Sequence, residues 1–186
     1  FDFGTGNFTI EGFFNKSTSN ASLTLLCSEN YHTSGYNGNW ILRITDNTQI
    51  AFASYDGQGN GEYVEFPCEN VVGVWYHFAF VRDGGGQAKF YLNGKLCGSM
   101  TLNKSLTDAG TYGLRIGYES AGGPGNASYH GFLSNIRIIK GTEFYTADFI
   151  PPTEPLTNVT NTKLLCCQSN TSATEAAVGG SVTPWI

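Results

Sequence analysis

Apolar and polar residues alternate along much of this chain with a period of two, the spacing of a strand with one buried and one solvated face. Residues 40–45 (W-I-L-R-I-T) and 49–54 (Q-I-A-F-A-S) are two such runs, and Asp46-Asn47-Thr48 joins them into a predicted hairpin. The clearest unit is 75–100. There 75–82 is read as a strand turned back by Asp83-Gly84-Gly85-Gly86, 87–92 as the next, and 95–100 as a third after Asn93-Gly94. Asn-Gly between alternating runs predicts a type I′ turn, because both central residues must adopt positive φ. Further strands are predicted at 8–14, 22–27, 62–67, 111–118 and 129–140, with 163–168 closing a sheet. Polar loops are predicted at 15–20, 29–39, 55–61 and 119–128. Residues 141–150 form an aromatic turn, Pro151-Pro152-Thr153-Glu154-Pro155 an extended crossing without ladder donors, and 172–186 a weakly patterned tail. No stretch carries helical periodicity with caps. Many short strands at regular spacing predict a single all-β domain over 1–186, a two-sheet antiparallel sandwich or a barrel.

Composition sharpens this. Of 186 residues 14% are aromatic and 13% charged, with 24 glycines, which suits twisted sheets and tight turns and argues against a disordered chain. A net charge of −5 with scattered cations leaves no basic footprint for nucleic acid. No apolar run approaches the ~20 residues of a membrane span. The opening Phe1-Asp2-Phe3-Gly4 has neither initiator methionine nor signal segment, so a fragment or processed product is expected. The five cysteines (27, 68, 97, 166, 167) are an odd set with no C-x-x-C pair; they read as small core residues, with a Cys68–Cys97 bridge left open.

F-G-T-G-N-F-T-I-E-G-F-F (3–14) resembles the opening strand of laminin-G-like, concanavalin A-like jelly-roll modules. The 75–99 run and L-R-I-G-Y…Y-H-G-F-L-S-N-I-R-I-I-K follow in the same family order. The stretch 140–170 is similar to the ending of such modules in virion proteins of marine tailed phages. The resemblance implies a β-sandwich, placement on a virion fibre, appendage or capsid decoration, and other virion subunits as partners.

Catalytic and metal chemistry find little footing in the residues. Laminarinase-like relatives use E-x-D-x-x-E on one strand face, and that run is missing; Glu62 and Glu65, three apart, are expected on opposite faces. His32, His77 and His130 stand alone without metal-ligand spacing, and His77 and His130 read as packed strand residues. No G-x-S-x-G elbow occurs, so no enzyme activity is expected. Calcium is the one cation the loops could hold, through Asp56, Gln58 and Asn60, although such spacing also serves plain turns; the laminin-G resemblance implies the same ion.

Sugar recognition fits best, since aromatic faces stack on C–H surfaces while amides and carboxylates satisfy hydroxyls. The loops offer Tyr31, Tyr36, Asn37, Tyr55, Asp56, Asn60, Asn126 and Tyr129. The expected function is non-catalytic binding of host-surface glycan on a virion surface, outside the cell, in a homo-oligomer. A purely structural virion subunit is the first alternative. Seven Asn-x-Ser/Thr sites, at 7, 15, 20, 103, 126, 158 and 170, keep a secreted eukaryotic adhesion domain as the second, where about three would arise by chance.

Overall fold

The computed structural model describes residues 1–19, 22–28, 39–55, 61–107, 113–118, 128–172, 174–180 and 182–183, with Asn39 and Tyr55 described by backbone alone. Within these lie strands β1 (Phe8–Lys16), β2 (Leu23–Ser28), β3 (Asn39–Ile44), β4 (Gln49–Tyr55), β5 (Gly61–Pro67) and β6 (Tyr76–Arg82). They continue with β7 (Gln87–Leu92), β8 (Lys95–Thr101), β9 (Leu114–Ile116), β10 (Gly131–Lys140), β11 (Thr162–Cys166) and β12 (Ala176–Val178). Every pairing is antiparallel, in a seven-stranded sheet β12-β11-β10-β1-β6-β7-β8 and a five-stranded sheet β5-β4-β3-β2-β9. The expected all-β sandwich is the fold. No helix among the described residues is long and apolar enough to cross a membrane.

Alternation places the inward residues of both sheets in one aromatic core. Phe52 and Phe80 stack across the sandwich at 4.6 Å between ring centroids, Phe66 on Phe90 at 5.4 Å, and Trp40 lies against Phe52 at 6.4 Å. Asn93 and Gly94 have φ of 47° and 74°, as the I′ turn requires.

Several boundaries differ from the sequence expectation. β1 runs through Asn15 and Lys16 instead of giving way to a loop: Lys16 is buried, and its Nζ donates to Asn47 Oδ1 (2.7 Å) in the β3–β4 turn. Trp75 precedes its strand and stands exposed. β11 does not close the sheet, because β12, inside the supposed tail, pairs along its outer edge; A-A-V is too short an apolar run to announce itself. Arg82 is more than a strand end. Fully buried, it donates to the carbonyls of Gly4 (2.7 Å), Gly6 (2.9 and 2.6 Å) and Lys104 (3.1 Å), fixing the chain's opening turn. All five cysteines are free; Cys68 lies hydrogen-bonded to Cys97, which together with burial raises the Cys68 thiol's ionisation well above its usual range.

The outer face of the seven-stranded sheet is covered by the segment 141–157, which crosses β10, β1, β6 and β7. Beneath it sits a buried polar cluster. Glu11 Oε1 accepts from Arg137 Nε (2.8 Å) and Nη2 (2.6 Å), and Oε2 from His77 Nε2 (3.2 Å) and Tyr145 hydroxyl (2.8 Å). Arg137 Nη1 also donates to Thr157 O (2.7 Å), and its guanidinium lies 5.0 Å from the Phe144 ring. Tyr145 and Phe149 stack on each other, and Phe149 meets His77 edge-on at 5.7 Å. His77 is thus the packed, hydrogen-bonded strand residue expected, but its partners are sequence-distant. At the far side Phe149 N–H donates to Gly94 O (2.9 Å), so closely that a Cβ at Gly94 would lie 1.9 Å from Phe149 O.

Burial alone would push the Glu11 carboxyl up. The His77 hydrogen bond and the Arg137 charge and hydrogen bonds outweigh it and hold Glu11 below the ordinary glutamate value. A carboxyl depressed on folding contributes stability that is complete above its unfolded value and is lost as pH falls through its folded one. Glu11→Gln is therefore expected to cost about 3–5 kcal/mol in urea denaturation at neutral pH, by leaving Arg137 buried without its counter-charge. It should also flatten the fall in stability below the ordinary glutamate range that the unmodified chain shows. Gly94→Ala, which adds backbone strain to a steric collision, is expected to cost at least about 2 kcal/mol, whereas Asn93→Gly should change stability by under about 1 kcal/mol. Paired denaturation curves check both.

Candidate functional site

Strand register fixes where the three polar loops are rooted. β2 ends at Ser28 and β3 begins at Asn39, while β4 ends at Tyr55 and β5 begins at Gly61. Asn39 pairs with Tyr55, and Tyr55 with Gly61, so the stretches 29–38 and 56–60 spring from adjacent strands at one end of the five-stranded sheet. The third loop is rooted elsewhere. Gly117, just after β9, donates to Leu25 O (2.9 Å) and accepts from Tyr129 N–H (2.8 Å). Leu114 pairs with Ser28 and Ile116 with Leu26, which puts this root toward the other end of β2.

Tyr31, Tyr36, Asn37, Asp56, Asn60 and Asn126 lie outside the described residues, as does Gln58 and with it the whole calcium set; Tyr55 is placed by its backbone at the 56–60 root. Tyr129 is placed in full. Its ring packs against the core, and its hydroxyl is buried without a partner among the described residues. Burial drives that phenol well above its usual value. It is thus rooted apart from Tyr55 and turned inward.

Between these roots lies the outer face of the five-stranded sheet, which the sequence reading overlooked. Two cross-strand rows form it: Tyr63–Ala53–Ile41–Cys27–Arg115 and Glu65–Ala51–Arg43–Thr24. Ala53, Ile41, Cys27 and Ala51 are small or apolar and buried, while Arg43 on the central strand β3 is half-buried, and Tyr63, Glu65 and Arg115 bring charge and aromatic surface to the two sides. The Arg43 guanidinium lies 5.9 Å from the half-exposed Tyr63 ring, whose hydroxyl donates to Glu65 Oε1. Arg43 Nε has no hydrogen-bond partner among the described residues. Across the sheet Arg115 lies 5.6 Å from Tyr118, whose carbonyl accepts from the Cys27 thiol (3.2 Å). The signal was present in W-I-L-R-I-T: alternation that sends Trp40 and Leu42 inward sends Arg43 outward. Such a face offers flat ring surface, cationic donors and one carboxylate, the groups that a hydroxyl- or carboxylate-bearing ligand engages.

Glu62 pairs with Ser54 and Glu65 with Ala51, so the two carboxylates face opposite sides of β5, as their spacing implied. His130 is exposed just ahead of β10, and its carbonyl accepts from Ser17 N–H (2.9 Å), in contrast to the packed residue expected. Among the described residues no group of three His, Cys, Asp or Glu could hold a metal ion.

A family model of the concanavalin A-like lectin/glucanases superfamily, laminin G in type, matches residues 1–142. No curated protein sequence matches the chain. Among solved structures, a candidate carbohydrate binding protein from Bacteroides ovatus superposes with a TM-score of 0.68 at 20% identity, over 97% of this chain and 51% of its own. This chain therefore spans about half the length of that protein. The CBM40 of the Ruminococcus gnavus IT-sialidase, bound to α2,3 sialyllactose, gives 0.57 at 19% identity over 69% and 72% of the two chains. The heptameric SAP-like pentraxin of Limulus polyphemus gives 0.51 at 19% identity over 76% and 68%. At such identities the likeness is one of fold. With the family match spanning both sheets as far as the end of β10, the chain belongs to the concanavalin A-like lectin/glucanases superfamily.

Proposed function

We propose that this chain is a non-catalytic glycan-binding module. Its setting is a virion fibre, appendage or capsid decoration, where as one copy of an oligomer it holds glycans of the host surface. The observation that carries the binding role is the outer face of the five-stranded sheet. There Arg43 and Tyr63, with Glu65 beside them, lie on strands whose adjoining ends root the loops holding Tyr31, Tyr36, Asn37, Asp56 and Asn60. The solved carbohydrate-binding relatives share this architecture, which supports the reading. The arrangement of the described carboxylates supports the non-catalytic part of this reading: Glu62 and Glu65 look away from each other, and Glu11 is locked into its ion cluster, so neither β1 nor β5 presents a pair able to flank a glycosidic bond. The virion setting rests on the resemblance of 140–170 to phage module endings.

Glycan arrays and isolated host polysaccharide test this directly. Saturable binding is expected, weakened about tenfold, equivalent to ~1.4 kcal/mol, by Arg43→Ala and by Tyr36→Ala or Tyr55→Ala. Absence of binding to any glycan or to host cells would leave a structural subunit in its place. Mass spectrometry of the native protein addresses the setting: Asn103, Asn158 and Asn170 are exposed, and glycans attached there would replace the virion by a secreted eukaryotic setting.

A further inference from the structure

The seven-stranded sheet carries a second aromatic surface where the 141–157 segment leaves off. Phe13 pairs with both His77 and Ser134, and Asn15 with Phe132, so outward positions of β6, β1 and β10 fall in rows. The His77 row is covered by Phe149, whereas at the next row Trp75 is 47% and Phe132 67% exposed, with ring centroids 6.5 Å apart and planes tilted by 38°. Two large rings side by side in water are costly for a soluble domain and mark a binding surface. Beside them opens a cleft of about 270 Å³ between Phe13 and Trp75 on one side and Pro152 and Pro155 on the other.

The cleft is rigidly framed. Asn135, at a bulge with φ of 52°, accepts through Oδ1 from Leu156 N–H (3.0 Å) and Gln168 Nε2 (2.9 Å), which fixes the proline wall against β10. Its polar lining includes Thr153 and Glu154, both exposed and without a side-chain hydrogen bond among the described residues. Among the described residues no Lys or Arg lines it.

We propose that this cleft is a second saccharide site, separate from the five-stranded face, which takes an uncharged sugar. The sugar's C–H face lies on Trp75 and Phe132, and its hydroxyls donate to the Glu154 carboxylate and exchange hydrogen bonds with Thr153. The chemistry separates this occupant from others. An apolar peptide or a second protein seated on the rings would cover the Glu154 carboxylate without a counter-charge, a costly burial, while a sugar brings hydroxyl donors and leaves the group wet. An acidic sugar would set like charge against Glu154 with no cation in the cleft to offset it. The two faces thus differ in sign, with Arg43 and Arg115 on one and Glu154 on the other.

Calorimetric titration with cello-, chito- and laminari-oligosaccharides, and with sialyllactose as the acidic control, tests the site. At least one neutral series is expected to bind, and to lose tenfold or more in affinity in Trp75→Ala and in Phe132→Ala, and several-fold in Glu154→Gln. Sialyllactose should not compete for it. Arg43→Ala and Tyr36→Ala should leave this binding unchanged, so loss of the five-stranded-face reading and loss of this one are told apart. Both rings are exposed, and thermal unfolding confirms that the variants stay folded. Neutral-sugar binding unaffected by Trp75→Ala and Phe132→Ala overturns the proposal, as does absence of binding by the unmodified chain. A change of sedimentation behaviour in those variants without any saccharide effect overturns it in favour of a protein interface.

Discussion

One buried carboxylate organises this molecule. Glu11 sits on β1, between β10 and β6 in the seven-stranded sheet, and its two oxygens engage β10 through Arg137, β6 through His77, and the covering segment through Tyr145. A charge at such depth is tolerable only when every acceptor position is met, and Arg137 with its paired N–H groups meets one oxygen in the geometry that guanidinium provides. The cluster dictates where the 141–157 segment must lie. From it follow the Lys89–Glu143 and Lys95–Asp148 ion pairs at the segment's margins and the docking of Phe149 on the Asn93-Gly94 turn.

That arrangement divides the two sheets by task. The middle of the seven-stranded sheet's outer face is sealed by its own chain, while the Trp75–Phe132 end and the edge strand β8, with Leu96 exposed, face water. The five-stranded sheet instead shows a face of small and apolar residues bearing two Arg–Tyr pairs, one reaching from the central strand β3 to β5 and one beside β9. The two sides of one aromatic core are thus built differently, one braced by a buried ion cluster beneath the 141–157 segment and the other carrying charge and rings on its surface.

Sequence periodicity reveals much of the scaffold and little of its polar wiring. The 75–100 meander is legible because Asn93 and Gly94 must adopt positive φ and because alternation is clean on each side. The hairpin of β3 and β4 is legible for the same reason. What escapes is pairing between distant charges. Glu11 within F-T-I-E-G-F-F and Arg137 within I-R-I-I are each the lone charge of an apolar run, and that shared oddity is the signal that could have joined them. Nothing local in the sequence reveals that Lys16 is buried, since its partner Asn47 lies in another hairpin, or that Ala176–Val178 adds an edge strand. Of the residues proposed to contact sugar, the roots of two loops are adjacent while Tyr129 is turned inward, because alternation foretells faces within a strand but not which ends of different strands meet.

The span of the Glu11 contacts also governs when the fold can form. Its partners Arg137 and Tyr145 lie 126 and 134 residues downstream, so during synthesis the carboxylate waits, beside β6, for nearly three-quarters of the chain to emerge. Until then, collapse of β1 against β6 would bury a carboxylate answered by His77 alone, without Arg137 or Tyr145, which penalises premature closure. The ion cluster thus ties full stability of the sandwich to the arrival of β10 and the segment beyond it.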